Sequence, residues 1–244
     1  MIKSDAIIVS AGKGQRLKAR IKKQFISLGG KPILSHTLAP FERCPLIRSI
    51  LVVVGEEDLE YCLKEVVEPY HYQKVLKIIP GGKRRQDSVK KGIEALPEDT
   101  EIIVVHDGVR PFVTQEMIEA SIQEADRSGA AVVAVPVKDT IKMATSDGIV
   151  LQTLERASLW QAQTPQAFQA SILRKAYSNA IFKEMSVSDD ATLVERLGIK
   201  VRLLPGSYAN IKITTQEDLM LAHLLLEMES KSKKGKRDEN GIWL

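Results

Sequence analysis

The chain has 244 residues, 44% apolar and 27% charged, which suits one substantial globular domain with at most a small appendage. No apolar run approaches the roughly 20 residues that span a bilayer, and the N-terminus MIKSDAIIVSAGKG reaches a glycine turn too early for a signal peptide, so a cytoplasmic protein with no membrane partner is expected. The net charge of +4 does not argue for a nucleic-acid partner: five Lys/Arg and two acids from Ser230 onward supply +3 of it, and aromatic residues for base stacking make up only 5% of the chain.

Taken in chain order, residues 5–9 form the first strand, followed by an amphipathic helix over 33–41. Strands are then expected at 49–54, 75–80, 102–106 and 131–136, separated by helices at 59–67, 86–95 and 114–128, with Thr114 as the N-cap of the last. The strands read as continuous apolar runs (AIIV, ILVVV, IIVV, VVAV), the pattern of parallel strands covered on both faces. Residues 138–162 break the rhythm. Ile141, Lys142 and Met143 alternate, Ser146-Asp147-Gly148 makes a turn, and Ile149-Val150-Leu151 resume, which is a hairpin signal. Such an arm has no core of its own and is expected to pack on another subunit, with Trp160 packed at its base. Helices follow at 170–181 and 191–197, strands at 201–204 and 211–214, and a terminal helix after Thr214 or Thr215 carrying the apolar run 219–228.

This order predicts an α/β protein, a Rossmann-like three-layer sandwich with a mostly parallel sheet and a projecting β-hairpin arm. The domain is expected to span 1–229, with the arm at about 138–162 and a basic, disordered tail at 230–244. Cys44 and Cys62 have no metal-like spacing and are read as buried free thiols.

The polar motifs fall at strand ends. After the first strand comes SAGKGQRL, in which Gly12 and Gly14 fit either a tight strand-to-helix turn or a phosphate cradle, with the cation Arg16 beside them. A third glycine for the dinucleotide fingerprint is missing, and GGKP at 29–32 lacks the first glycine and the Ser/Thr of a Walker loop. Lys23, in KKQF, is either a solvated lysine or a second cation of the same loop. A triphosphate carries about four negative charges and its transfer depends on positioning and neutralisation, a task this loop suits. GGKRRQDSV at 81–89 either offers the Ser88 hydroxyl to a base edge or is a Gly-Gly turn with Ser88 in the first helical turn. HDGVRP follows the next strand; His106 reads as a partly buried, hydrogen-bonded histidine, and Asp107 suits a ribose hydroxyl or a magnesium ion equally. Asp189-Asp190 fit a metal pair or an acidic helix start. Lys212 falls in a short apolar strand, where it needs an anionic partner that a substrate would supply. The protein ligands of any metal are left unknown, and no Ser/His/Asp or Cys/His constellation stands out.

The ordered set AGKGQR, KQF, GGKRRQDSV, HDGVRP, KDT, QTPQAF, SDDA and NIKIT resembles the 2-C-methyl-D-erythritol 4-phosphate cytidylyltransferases of the non-mevalonate isoprenoid pathway, from the first strand to about Met228. The resemblance implies transfer of CMP from CTP to methylerythritol phosphate. It implies that Arg16, Lys23 and Lys212 stabilise the transition state, and that Ser10, Ala11, Gly12 and Gly14 hold the triphosphate. Gly82 and Ser88 would read the cytosine, and Asp107 would face the ribose and substrate. Thr140 and Arg156, on an arm that reaches the neighbouring subunit's site, would bind methylerythritol phosphate together with Arg110, Thr164 and Ser188. It further implies a homodimer with exchanged arms and Mg2+ held mainly by the CTP phosphates. Four positions depart from the family pattern: Ser10, Gly108 and Val109 stand where alanine is usual, and Ser188 where threonine is. Two rivals stand beside this reading. A ribitol 5-phosphate cytidylyltransferase shares the CTP end of the site, and Thr140 with Arg156 argues against it; a non-catalytic nucleotide-binding regulator would have no need of three cations at the α-phosphate.

Overall fold

In the computed structural model the described residues are 2–12, 21–178 and 187–235. Arg16 and Gly14 lie outside them, as does the end of the helix expected at 170–181.

Seven strands form one sheet in the order β11-β7-β10-β6-β1-β4-β5. They are β1 (Ser4–Val9), β4 (Ile47–Val54), β5 (Val75–Pro80), β6 (Ile102–Asp107), β7 (Ala130–Pro136), β10 (Trp160–Gln169) and β11 (Arg202–Pro205). All neighbours pair in parallel except β10, which is antiparallel to both β6 and β7. The apolar runs become strands because both sheet faces are covered, as period-two alternation requires. On β1, Ala6 and Ile8 join one core with Leu34, Leu38 and Phe41 of α1 (Ile33–Arg43) and Ile118 and Ile122 of α4 (Gln115–Ser128). Ile7 between them joins the opposite core with Val89 and Ile93 of α3 (Arg85–Ala95) and Leu173 of α5 (Ala170–Ser178). Three layers result. The N-cap of α4 is Thr114, whose Oγ1 accepts from the Met117 amide at 3.3 Å. The region expected to be one helix at 59–67 is α2 (Leu59–Cys62) continued by a π-helical turn over Leu63–Val67. Cys44 and Cys62 are buried free thiols, as expected.

Four expectations need correction. β10 was hidden by its own composition: QTPQAF is polar and holds a proline, yet Gln163 and Gln166 are buried because their side chains bond across to loops, and Thr164 because its hydroxyl accepts from the Asp107 amide at the end of β6. Gln163 Nε2 donates to Ser207 O at 2.8 Å, and Gln166 Oε1 accepts the Asp190 amide at 3.2 Å. Residues 211–214 form no strand; tertiary bonds hold them instead, Ile213 N donating to Val109 O at 2.9 Å and Arg110 Nη1 to Asn210 O at 2.8 Å. Trp160 opens β10 opposite Pro136 with 42% of its surface exposed, so it is not packed at the arm's base within this chain. The terminal helix, α7 (Gln216–Gly235), extends past the expected boundary at 229, while residues 236–244 of the expected tail lie outside the described residues. Further short elements are α6 (Ala191–Glu195) and a hairpin of β2 (Ser27–Leu28) with β3 (Lys31–Pro32).

The arm is present. β8 (Lys142–Ala144) pairs antiparallel with β9 (Val150–Thr153) as a separate two-stranded sheet, closed by a turn in which Gly148 adopts φ 88°.

Candidate active site

Counting outward from β1, the chain builds β4 and β5 on one side and β6 on the other, so the switch point of the sheet lies between β1 and β6. Ser10 follows β1 there and Asp107 ends β6, with Gly108 N bonded to Val9 O at 2.9 Å. Around this point lies a chamber of about 170 Å³ lined by Ser10, Ala11, Gly12, Lys23, Gly82 and Ser88, with Arg85, Asp107 and Lys212 along one wall. A Cβ built on Gly12 would meet nothing within 4 Å, so no contact of the described protein demands glycine at this position; the open side faces the chamber. The Lys23 segment is fixed by its neighbours. Gln24 Nε2 donates to Ser10 O at 2.8 Å, and Lys22 Nζ lies 2.7 Å from Asp58 Oδ2 and also contacts Glu57.

Gly82 and Ser88 meet directly: the Gly82 amide donates to Ser88 Oγ at 3.0 Å, and that hydroxyl donates to Arg84 O at 3.2 Å. Ser88 thus closes the Gly-Gly turn as well as lining the chamber. Gly108, the departure from alanine, is explained by the other departure. A Cβ at 108 would fall 2.0 Å from Ser10 Oγ, 3.0 Å from Leu34 Cδ1 and 3.1 Å from Ser10 Cβ, so the serine hydroxyl at 10 makes the severest contact that glycine at 108 avoids.

Asp107 is the centre of charge. Its Oδ1 accepts from Arg85 Nε at 3.1 Å, while its Oδ2 lies 2.8 Å from Lys212 Nζ and 3.5 Å from Arg110 Nε. Its amide donates to Thr164 Oγ1 at 3.1 Å. Burial pushes the carboxyl up, but Arg85, Lys212 and Arg110 together outweigh it and hold it far below the ordinary carboxylate range. Lys212 therefore already has an anionic partner, supplied by the protein and not only by a substrate, and it sits on a loop. His106 is fully buried, beyond the partial burial expected. Its Nε2 lies 3.3 Å from Arg110 O, its ring packs on Phe41 with centroids 5.0 Å apart, and desolvation pushes its pKa down to about 3, so it is neutral and removed from proton transfer.

A second chamber, of about 110 Å³, adjoins the first and shares Arg85, Asp107 and Lys212 with it; Gln163, Gln166 and Asp189 line it too, beside Arg110, Thr164 and Ser188. Of the expected substrate residues, these three come together. Thr140 and Arg156 do not join them in this chain. They line a cleft on the arm with Pro136, Val137, Leu154, Glu155 and Ala157 that shares no residue with either chamber. Asp189 is a helix-start residue: its Oδ1 accepts from the Thr192 amide at 3.1 Å and from Thr192 Oγ1 at 2.6 Å.

Sequence reading missed Arg85. The signal was available: a guanidinium in the first turn of a helix faces the positive end of the dipole and needs carboxylates to hold it. It also missed Gln24 and Gln163, which carry no signal apart from their fold.

An anion-attracting double chamber at the switch point of a Rossmann-like sheet, walled by Lys23, Lys212, Arg85 and Arg110 around the compensated carboxylate Asp107, fits the class of nucleotidyltransferases. Residues 5–228 match the IspD family, 2-C-methyl-D-erythritol 4-phosphate cytidylyltransferase, and the chain belongs to that family. It is 46% identical over 224 residues to the enzyme of that name from Syntrophus aciditrophicus, covering 92% of this chain and 96% of that one. With the Pelotomaculum thermopropionicum enzyme the identity is 45% over 241 residues, covering 99% and 100%. Among solved structures, the 4-diphosphocytidyl-2C-methyl-D-erythritol synthase of Anaerococcus prevotii superposes with a TM-score of 0.82 at 33% identity over 93% of this chain and 96% of that one. The cytidylyltransferase of Thermus thermophilus gives 0.73 at 33% identity, covering 93% and 100%.

Proposed function

We propose that this chain transfers CMP from CTP to 2-C-methyl-D-erythritol 4-phosphate, releasing pyrophosphate and the CDP-linked alcohol. The observation that carries the reading is that Lys212 lines both chambers, so a nucleotide in one and a phosphate monoester in the other would meet at its ammonium. A substrate phosphate oxygen attacks the α-phosphorus. The new P–O bond forms as the α–β bridge breaks, and pyrophosphate leaves with the electron pair. Two anions must approach each other, so cations, here Lys23 and Lys212 with Arg16 outside the described residues, lower the barrier by neutralising charge that grows at the reacting centre. The monoester is already ionised near neutral pH, so no side chain has to act as base. Ser10, Ala11, Gly12 and Gly14 would hold the triphosphate, Gly82 and Ser88 the base, and Arg110, Thr164 and Ser188 the acceptor.

Magnesium, in this reading, arrives on the CTP phosphates. Among the described residues no three His, Cys, Asp or Glu side chains converge to hold a metal, and both oxygens of Asp107 face cations. Among the described residues the carboxylates thus form no cage.

The second element of the reading is a homodimer. The arm leaves Ile149 and Leu151 about 60% exposed (62% and 60%), and Thr140 and Arg156 lie apart from Lys212 within one chain. A second copy would cover the arm and receive those two residues.

Pyrophosphate release is the test. It should require CTP, magnesium and methylerythritol phosphate together. Faster turnover of ribitol 5-phosphate would reassign the acceptor while leaving the reaction class.

A further inference from the structure

Arg85 is the one residue that spans the two buried carboxylates of the site among the described contacts. Its Nε donates to Asp107 Oδ1 at 3.1 Å, and its Nη2 lies 2.9 Å from Oδ2 of the fully buried Asp190, whose other oxygen accepts from the Tyr177 hydroxyl. Its neighbour Arg84 pairs instead with Asp87 three residues on, at the surface. Arg85 heads α3, where the dipole disfavours a cation, so its placement depends on these two acids.

We propose that Arg85 is a positioning residue for the transfer: by holding Oδ1 of Asp107 it lets Lys212 turn from Oδ2 to an incoming phosphate. The inference rests on the reaction proposed above. Lys212 cannot serve a substrate while it is the main partner of a buried carboxylate, because a charge left uncompensated away from water is costly. Arg85 and Arg110 remain on Asp107 when Lys212 leaves, and Arg110 is the more distant, at 3.5 Å. Arg85 is therefore the group that keeps Asp107 ionised and fixed at that moment. A lysine could not replace it, since a single ammonium cannot reach two carboxylates from separate nitrogens. The same guanidinium ties the Ser188–Asp190 turn to the wall that the two chambers share, so the acceptor's residues and the nucleotide's are set against one another.

The test separates this role from mere neutralisation of Asp190. Arg85→Gln, Arg85→Lys and the double variant Arg85→Gln/Asp190→Asn are compared with the unaltered protein for thermal midpoint, kcat and both KM values, at a temperature well below the lowest midpoint. Removing both charges should return the midpoint toward normal, while kcat stays down by a factor on the order of a hundred, the scale of a small misplacement of a reacting group. Arg85→Lys should keep most of its stability and lose at least about tenfold in kcat, and KM for CTP should move less than about threefold. Recovery of both midpoint and kcat in the double variant would reduce Arg85 to a structural counter-ion. If the double variant stays unstable, Arg85→Lys decides, and near-normal kcat there overturns the proposal. A loss expressed mainly as a raised KM for CTP would overturn it too, by making Arg85 a nucleotide contact. Absence of pyrophosphate release by the unaltered protein would instead refute the underlying reaction, a distinguishable failure.

Discussion

Lys23 and Lys212 are set into the cleft by different means, which shapes what their loss should do. Lys23 sits beside Gln24, pinned to Ser10, whereas Lys212 is held by a carboxylate that keeps Arg85 and Arg110 when the lysine is gone. Either change to alanine should therefore lower kcat by on the order of a hundredfold or more with little change in the melting midpoint by circular dichroism; near-normal turnover would strike that residue from the catalytic set. His106 makes a second prediction. Its folded pKa of about 3 lies below its ordinary 6.5, so the unfolded chain binds the extra proton between those values and stability falls as pH drops through that window. The slope it contributes is at most about 1.4 kcal/mol per pH unit. Denaturant titrations between pH 6.5 and 5.5 should show a slope of that sign, and His106→Gln should reduce it, leaving the share of His36, whose pKa burial also lowers. The Ser10–Gly108 fit supplies a third. Gly108→Ala should cost about 1–3 kcal/mol through overpacking, and Ser10→Ala in the same chain should recover part of it, the contact with Leu34 remaining. Among the described residues Ser10 Oγ is buried with no hydrogen-bond partner, so its removal breaks no bond to them. A double-mutant cycle with no coupling would dismiss the complementarity.

At the scale of elements, β1 is anchored by charge at its start and by neutral hydrogen bonds at the end that meets the chamber. At its start Asp5 is fully buried and accepts from Arg48 Nε at 3.1 Å, Ser49 Oγ at 2.7 Å and Thr100 Oγ1 at 2.6 Å. Burial pushes Asp5 up, but Arg48 and the two hydroxyls outweigh it and leave its pKa lowered. Arg48 also reaches Asp99, tying β4 to the loop before β6. Arg48→Met should leave a buried carboxylate without its cation and cost about 3 kcal/mol, the low end for a broken buried pair because two hydroxyls remain. Because the pair lies at the opposite end of the strand from Ser10, kcat should stay near normal at temperatures where the variant is folded. A large fall in kcat at full folding would mean the two ends are coupled through β1. β10 shows the same economy from the other side: its buried glutamines bind loops, not neighbours in the sheet, and so carry Thr164 to the Asp107 amide.

For the molecule as a whole, the separation of the arm's cleft from both chambers makes oligomeric state a matter of activity. If each site takes Lys23 from one chain and Arg156 from the other, mixing Lys23→Ala with Arg156→Ala creates one intact and one doubly damaged site per mixed dimer. Mixing should then restore substantial activity once subunit exchange is confirmed by mass. Activity that stays low despite exchange would show that both residues serve one site from one chain, and the arm would be an intrachain flap.

The sequence alone determined the layered α/β order, the parallel character of the apolar strands, the hairpin arm with its Asp-Gly turn, and the strand ends at which Ser10, Gly82 and Asp107 would gather. These are local or periodic signals: continuous apolar runs demand cover on both faces, and glycines and cations cluster where the backbone must meet phosphate. Only the tertiary structure decided that QTPQAF is a central strand, that Lys212 rests on Asp107, that Arg85 bridges Asp107 to Asp190, and that Ser10 and Gly108 accommodate each other. Each of those depends on contacts between residues far apart in the chain, where a buried polar group is tolerated because a particular partner meets it, and no local pattern encodes which partner that will be.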